Sequence, residues 1–218
     1  MPLITIHTAK PGQGATVTAA TLATLCAAAG QRTLLIDAST GDLPAVLGLP
    51  SVQSLGLAHY LTDPNAPTVD TLAVPIIENL DLLLLGEPDA MPATLDTTLV
   101  TGGCDRYDTV IIDAGTRPVT ACDTTATALL VTRPCYLALR RAIDTPLRPC
   151  GVVLINEPGR ALTATDIEAI LGRPIVATVP YDMAISRAVD SGLLTTRIPR
   201  ILARALRHLV PTLTAPAR

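Results

Sequence analysis

A chain of 218 residues, 49% of them hydrophobic, can bury a full core, but without Trp or Phe that core has to be built from Leu, Val, Ile and Ala. Its net charge of -3 supplies no global field to gather nucleic acid, and no uninterrupted apolar run reaches the ~20 residues that span a bilayer. Cys26, Cys104, Cys122, Cys135 and Cys150 show no C-x-x-C pairing and read as small buried thiols of a reducing compartment, while His7, His59 and His208 are too scattered to join them in a metal site. The first residues lack a basic start followed by an apolar signal core, so a cytoplasmic chain is expected.

Short apolar runs alternate with helical patterns along the chain. This predicts an α/β fold of three layers, a mainly parallel twisted sheet with helices on both faces. The first strand is Pro2-Leu3-Ile4-Thr5-Ile6, and a helix is expected from about Thr16 to Ala29. The turn between them, His7-Thr8-Ala9-Lys10-Pro11-Gly12-Gln13-Gly14-Ala15-Thr16, holds two glycines that leave backbone N–H groups bare. The positive end of the helix dipole points at the same spot, so an anion is its natural guest. The phosphate-loop pattern G-x-x-x-x-G-K-[ST] lies over positions 9 to 16. Gly14 and Thr16 match it; Ala9 stands at the first Gly and Ala15 at the Lys. Lys10 is the only lysine in the chain, beside 15 arginines. Its compact ammonium fits against phosphate oxygens where a planar guanidinium is too large. The plainer alternative for Lys10 is a solvated loop lysine next to a helix cap.

The second strand, Thr33 to Ile36, ends in Asp37. Leu43 to Leu47 is a short helix closed by Gly48, and Gly56 to Leu61 a further one. Thr62 to Pro75 reads as loop, followed by a strand over Leu80 to Leu85. A helix around Thr94 to Val100 leads to the strand Thr109 to Ile112, again closed by an acid, Asp113. Ala126 to Thr132 and Gly151 to Ile155 are buried strands flanking a helix over Tyr136 to Ile143. Then come a helix from an N-cap at Thr165 to Leu171, a strand over Ile175 to Val179, and a helix over Met183 to Ser191. The last helix spans Ile198 to Val210. One domain over residues 1–210 with a short tail, 211–218, accounts for the whole pattern.

Parallel sheets bind ligands beyond the carboxyl ends of their strands, and the loop, Asp37 and Asp113 all fall at that edge. Strand-terminal aspartates beside a phosphate loop are suited to holding Mg²⁺, with the Thr16 hydroxyl as another ligand; the alternative is that they only cap helices. A different reading takes Gly12-Gln13-Gly14-Ala15-Thr16-Val17 as G-x-G-x-x-V and Asp37 as a ribose-binding acid, giving an NAD(P)-dependent oxidoreductase. Against it, Thr8 to Pro11 insert a loop before the first Gly, and no constellation for hydride chemistry follows.

These residues resemble the ParA/MinD family of deviant P-loop ATPases, including its CpaE- and TadZ-like relatives. Lys10-Pro11-Gly12-Gln13-Gly14-Ala15-Thr16 lies on the family's K-G-G-x-G-K-[ST] without a gap. Gly41-Asp42-Leu43-Pro44-Ala45-Val46-Leu47-Gly48 is similar to its G-[DN]-L-x-x-x-L-G. Tyr107-Asp108-Thr109-Val110-Ile111-Ile112-Asp113 matches Y-D-x-[VI]-[IV]-[IV]-D. Asn156 falls on its V-x-N, and Val179-Pro180-Tyr181-Asp182 with Ser186-Arg187-Ala188 resembles [IV]-P-x-D…R-A.

The resemblance implies ATP and Mg²⁺ as ligands. Lys10 and Asp42 would be the catalytic residues, Lys10 reaching across a nucleotide-sandwich homodimer to the partner's phosphates. Lys10, Pro11, Gly12, Gln13, Gly14, Ala15, Thr16 and Val17 would bind the nucleotide, with Asn156, Pro180, Tyr181 and Asp182 around its base. Thr16, Asp37 and Asp113 would hold the metal. The implied role is a switch for intracellular positioning, such as partitioning, division-site or pilus-assembly placement, through a protein partner or cargo adaptor.

Three departures from the family pattern bear on turnover. Ala15 removes the loop lysine, Pro11 removes an N–H, and Ser39 stands where many relatives carry the aspartate that orients attacking water. Losing one charge-stabilising donor commonly costs ~2.7–4 kcal/mol in a transition state, so ATP binding with weak or no hydrolysis is expected. A scaffold that keeps the fold without nucleotide is the second reading. Arg197, Arg200, Arg204 and Arg207 could touch nonspecific DNA; the plainer reading is a solvated basic face on a helix packed through its leucines. The Pro-containing tail, without aromatic anchors, predicts no membrane attachment.

Overall fold

The computed structural model describes residues 2–50, 55–120, 126–145 and 147–210. Its strands, in chain order, are β1 (Leu3–His7), β2 (Thr33–Asp37), β3 (Val74–Ile77), β4 (Leu80–Leu83), β5 (Leu95–Asp96), β6 (Thr109–Gly115), β7 (Val119–Thr120), β8 (Ala126–Thr132), β9 (Gly151–Asn156) and β10 (Ile175–Pro180). Its helices are α1 (Ala15–Ala28), α2 (Leu43–Val46), α3 (Leu57–Thr62), α4 (Val69–Leu72), α5 (Thr97–Thr101), α6 (Tyr136–Asp144), α7 (Ala164–Leu171), α8 (Met183–Asp190) and α9 (Arg200–Leu206). Eight strands form one sheet ordered β10-β9-β8-β1-β6-β2-β4-β3, and β5 and β7 form a separate pair. Every pairing in the large sheet is parallel except β3 with β4.

The strands read as continuous apolar runs because both faces are covered. On one face, α1, α2, α8 and α9 pack on Ile4, Ile6, Leu35, Leu82, Ile111, Leu129 and Val153 in one unbroken core. α1 lies at its centre and carries four threonines, yet Thr18, Thr21 and Thr24 are all buried. Each hydroxyl donates to the carbonyl four residues back, Gly14, Val17 and Ala20, so none enters the core unsatisfied. The opposite face is different: it carries two separate cores. One joins α3, α4 and α5 to β2 and β6; the other is a small cluster of Leu139, Val152, Leu154 and Ile167 under α6 and α7.

Several expectations need correcting. The stretch 62–75 read as loop contains α4 and the start of β3; Pro75 is tolerable there because β3 is the sheet's edge strand. The short β5–β7 pair gave no sequence signal. Helix α7 is capped by Thr163, not Thr165, in a reciprocal capping box with Asp166. Cys26 and Cys104 are buried as expected, but Cys135 is half-buried and Cys150 exposed. Cys122 and the tail 211–218 lie outside the described residues. Among the described residues no helix is long and apolar enough to cross a membrane. Helix α9 is shorter than expected. It buries Leu202 and Leu206 while Arg197, Arg200, Arg204 and Arg207 stay exposed.

Candidate functional site

The loop after β1 is built on two left-handed glycines. Gly12 (φ 78°) and Gly14 (φ 96°) occupy backbone conformations that side-chain-bearing residues rarely adopt, and a Cβ on Gly12 would meet only open space. Gly14 caps α1 without any side-chain cap, so the first-turn N–H groups stay available. The base of the loop is tied down. Thr8 N–H donates to Gly115 O at 2.8 Å, and the Thr8 hydroxyl donates to Lys10 O at 2.9 Å. Lys10 is half-buried, and its ammonium makes no hydrogen bond or ion pair among the described residues.

The Gln13 side chain turns inward. It is 4% exposed, and its Oε1 accepts the backbone N–H of Arg133 at 3.0 Å, bracing the loop against the end of β8. Arg133 in turn pairs with Glu157, which also accepts from Arg160 Nε at 2.7 Å. This Arg133–Glu157–Arg160 cluster beside Asn156 was invisible in the sequence, because only the adjacency of β8 and β9 assembles it. Nearby, backbone N–H groups of Ala138 and Leu137 at the start of α6, helped by Lys10 and Arg160, hold the Cys135 thiol below the usual range against its partial burial.

Asp37, at the end of β2, and Asp113, two residues before the end of β6, stand opposite each other and are fully buried. Asp37 accepts three backbone N–H groups, from Ser39 (3.1 Å), Gly41 (3.2 Å) and Leu43 (3.2 Å). Burial pushes its pKa up while those bonds pull it down. Among the described residues Asp113 accepts only one, from Gly115 N–H to Oδ1 at 3.3 Å, and its Oδ2 is buried without a hydrogen-bond partner. Burial, reinforced by the charge of Asp37, pushes the Asp113 pKa up to about 7, while the nearby Thr16 hydroxyl opposes that rise. A buried carboxylate oxygen without a donor is costly unless a cation or proton arrives.

Asp42 is exposed at the start of α2 and accepts the Thr40 hydroxyl at 2.5 Å. Ser39 packs against the last residue of β6: a Cβ on Gly115 would lie 2.1 Å from Ser39 Oγ. Ala15 is 6% exposed and belongs to the α1 core. Thr16 and Val17 follow it, both half-buried, in the first turn. On the other side of the loop, Ile155 lies 3.5 Å from a Cβ built on Gly14, which brings Asn156 to the same sheet edge. Asn156 O accepts Tyr181 N–H at 2.9 Å. Pro180 is exposed, Tyr181 is half exposed, and Asp182 Oδ1 caps α8 by accepting Ala184 N–H at 2.7 Å. The sequence-predicted residues thus lie along one edge of the sheet; the side chains of Gln13, Asp37 and Asp182 are engaged with backbone.

The strand order also decides between the two phosphate-binding readings. In a dinucleotide fold the second strand lies directly beside the first; here β6 intervenes between β1 and β2, which separates Asp37 from the loop by a full strand. The fold and loop are those of a P-loop type α/β protein. Residues 4–195 match the CobQ/CobB/MinD/ParA nucleotide binding domain, and the chain belongs to that family.

Among solved structures, it is similar to the septum site-determining protein MinD from Pyrococcus horikoshii OT3, solved with Mg-ADP (TM-score 0.75, 20% identity, 97% of this chain and 95% of that one). It is similar to a ParA family ATPase from Chlorobium tepidum TLS (TM-score 0.70, 22% identity, 96% and 98%). It also resembles the MinC:MinD cell division complex of Aquifex aeolicus (TM-score 0.73, 20% identity, 100% and 99%). Comparison with curated proteins by sequence gives no match.

Proposed function

We propose that this chain is an ATP- and Mg²⁺-binding switch of the ParA/MinD kind with weak or no hydrolysis, acting in the cytoplasm to position a partner or cargo. The observation that carries this reading is the orphaned Oδ2 of Asp113, buried at the loop's base beside the Thr16 hydroxyl and a second acid. That donor set suits a hard dication, with Thr16 and Asp113 as its protein ligands. Asp37, its oxygens engaged by three N–H groups, shapes the Ser39–Leu43 loop that presents Asp42. The open N–H groups around Gly12 and Gly14 and the unpaired ammonium of Lys10 suit the phosphates. Asn156, Pro180 and Tyr181 would flank the base. Bound nucleotide would favour a homodimer in which Lys10 faces the partner's phosphates.

Ala15 and Ser39 favour weak turnover, since the site lacks one placed cation and one water-orienting acid. The second reading, a scaffold without nucleotide, is favoured by the burial of Ala15 in the position a loop lysine would hold.

Titration of the purified chain with ATP and Mg²⁺, read by calorimetry and thermal shift, separates the two. Binding is expected to raise the melting temperature by mass action. Replacing Lys10→Ala is expected to weaken it about 10- to 100-fold, the cost of a lost charge-assisted contact. A flat response at millimolar ATP selects the scaffold; equal affinity in Lys10→Ala removes Lys10 from the site.

A further inference from the structure

On the face opposite α1, Thr5 and His7 of the central strand β1 are buried but belong to neither core. Ile4 and Ile6 point to the α1 side, so Thr5 and His7 point to this one. Together with Ala126, Ala128 and Leu130 of β8 they floor a cavity of about 890 Å³, within the range of small-molecule sites. Helices α6 and α7 wall one side through Ile143, Ile170 and Leu171, and the segment Gly115–Thr120 walls the other.

The lining has a consistent chemistry. Three arginines, Arg117, Arg148 and Arg173, reach it, and among the described residues no Asp or Glu does. Arg117 is fixed in place by two neutral acceptors, donating from Nε to Ala38 O (2.8 Å) and from Nη1 to Pro92 O (2.6 Å). Neither Arg117 nor Arg173 forms an ion pair among the described residues, so their charge is not cancelled locally. Apart from His7, no aromatic ring among the described residues lines the space, so they offer no platform on which a base could stack. The rest of the lining mixes aliphatic side chains with threonines, among them Thr94, Thr116 and Thr145.

We propose that this cavity is a binding site for an aliphatic carboxylic acid, its carboxylate answered by the arginines and its chain lying on the Leu, Ile and Ala walls. His7 supports such a ligand with a neutral polar floor, because burial pushes its pKa down to about 4 and its Nε2 shares a 2.8 Å hydrogen bond with the Thr5 hydroxyl. The cavity lies behind the nucleotide loop and shares His7, Thr8 and Ala9 with that stretch, while the loop's glycines and Lys10 do not line it.

The test is a calorimetric titration of the whole chain with decanoate below its micelle threshold, without nucleotide, so that its outcome does not depend on ATP binding. Decan-1-ol and inorganic phosphate serve as comparison ligands. Decanoate is expected to bind saturably and shift the His7 ring resonances, with decanol at least tenfold weaker and phosphate without measurable binding. Ala128→Leu, which fills the floor, is expected to abolish binding without lowering the melting temperature, and Arg173→Glu at the rim to weaken it at least tenfold. Absence of saturable binding, equal affinity for decanol, or unchanged affinity in a folded Ala128→Leu protein or in Arg173→Glu would each overturn the proposal.

Discussion

His7 sits 4% exposed on the central strand, and its burial disfavours the charged imidazolium. The folded-state pKa of about 4 lies below the ordinary value of 6.5. As pH falls, the unfolded chain therefore takes up a proton before the folded one does. Stability is full above pH 6.5 and is lost between there and pH 4, by an amount on the order of 3 kcal/mol. Asp113 works in the opposite direction, its raised pKa making the folded state more stable as pH falls from 7. The difference between wild type and His7→Gln, which keeps a partner for Thr5, isolates the histidine. In urea unfolding, the stability of His7→Gln relative to wild type is expected to rise between pH 7 and pH 4.5. An equal difference at both pH values would show an imidazole that titrates normally.

The residue scale also shows how far sequence reading reaches. The placement of Lys10, Gly12, Gly14, Thr16, Asp37 and Asp113 at one sheet edge was legible because strand ends and turn chemistry fix it locally. The inward turn of Gln13 and the Arg133–Glu157–Arg160 cluster were not, since both depend on which strands become neighbours across more than a hundred residues of chain in the case of Gln13 and Arg133.

Among the elements, the apolar strands were legible nearly to the residue, because runs such as Thr109 to Asp113 have one way to be buried. Helix ends were read less well where several threonines compete, as in Leu162-Thr163-Ala164-Thr165. Thr165 has Glu168 three residues on, so sequence spacing does not separate the two. In the structure Glu168 Oε1 accepts Ile175 N–H at 2.7 Å. The box closes at Thr163, where Asp166 N–H donates to Thr163 Oγ1 at 3.2 Å and Thr163 N–H to Asp166 Oδ2 at 2.8 Å. The cap matters to α7 because the helix has eight residues and buries Ile167 alone. Thr163→Ala is expected to cost about 1 kcal/mol and lower the melting temperature by about 2–4 °C. Thr165→Ala, at the position favoured by sequence alone, is expected to change it by less. A larger loss in Thr165→Ala than in Thr163→Ala would show that the cap is assigned to the wrong threonine.

At the scale of the whole molecule, the two faces of the sheet are unequal. The α1 face is held by one core running from α2 to α9, while the other divides at β1 into the α3–α5 cluster and the four-residue cluster under α6 and α7. Cooperative units of unfolding follow contiguous buried contacts, so α6 and α7 should open at a lower free energy than β1, β6 and α1. Hydrogen exchange reads this directly: amides of α6 and α7 are expected to exchange first under native conditions. Ile167→Ala removes the one fully buried side chain that α7 contributes, a change of about 2–5 kcal/mol for a core isoleucine. If the division at β1 is energetic as well as geometric, that loss stays local, speeding exchange in α6 and α7 while leaving β6 and α1 protected. Equal acceleration in β1 and β6 would mean that β9, which carries core residues on both faces, transmits the loss and that the domain unfolds as one unit.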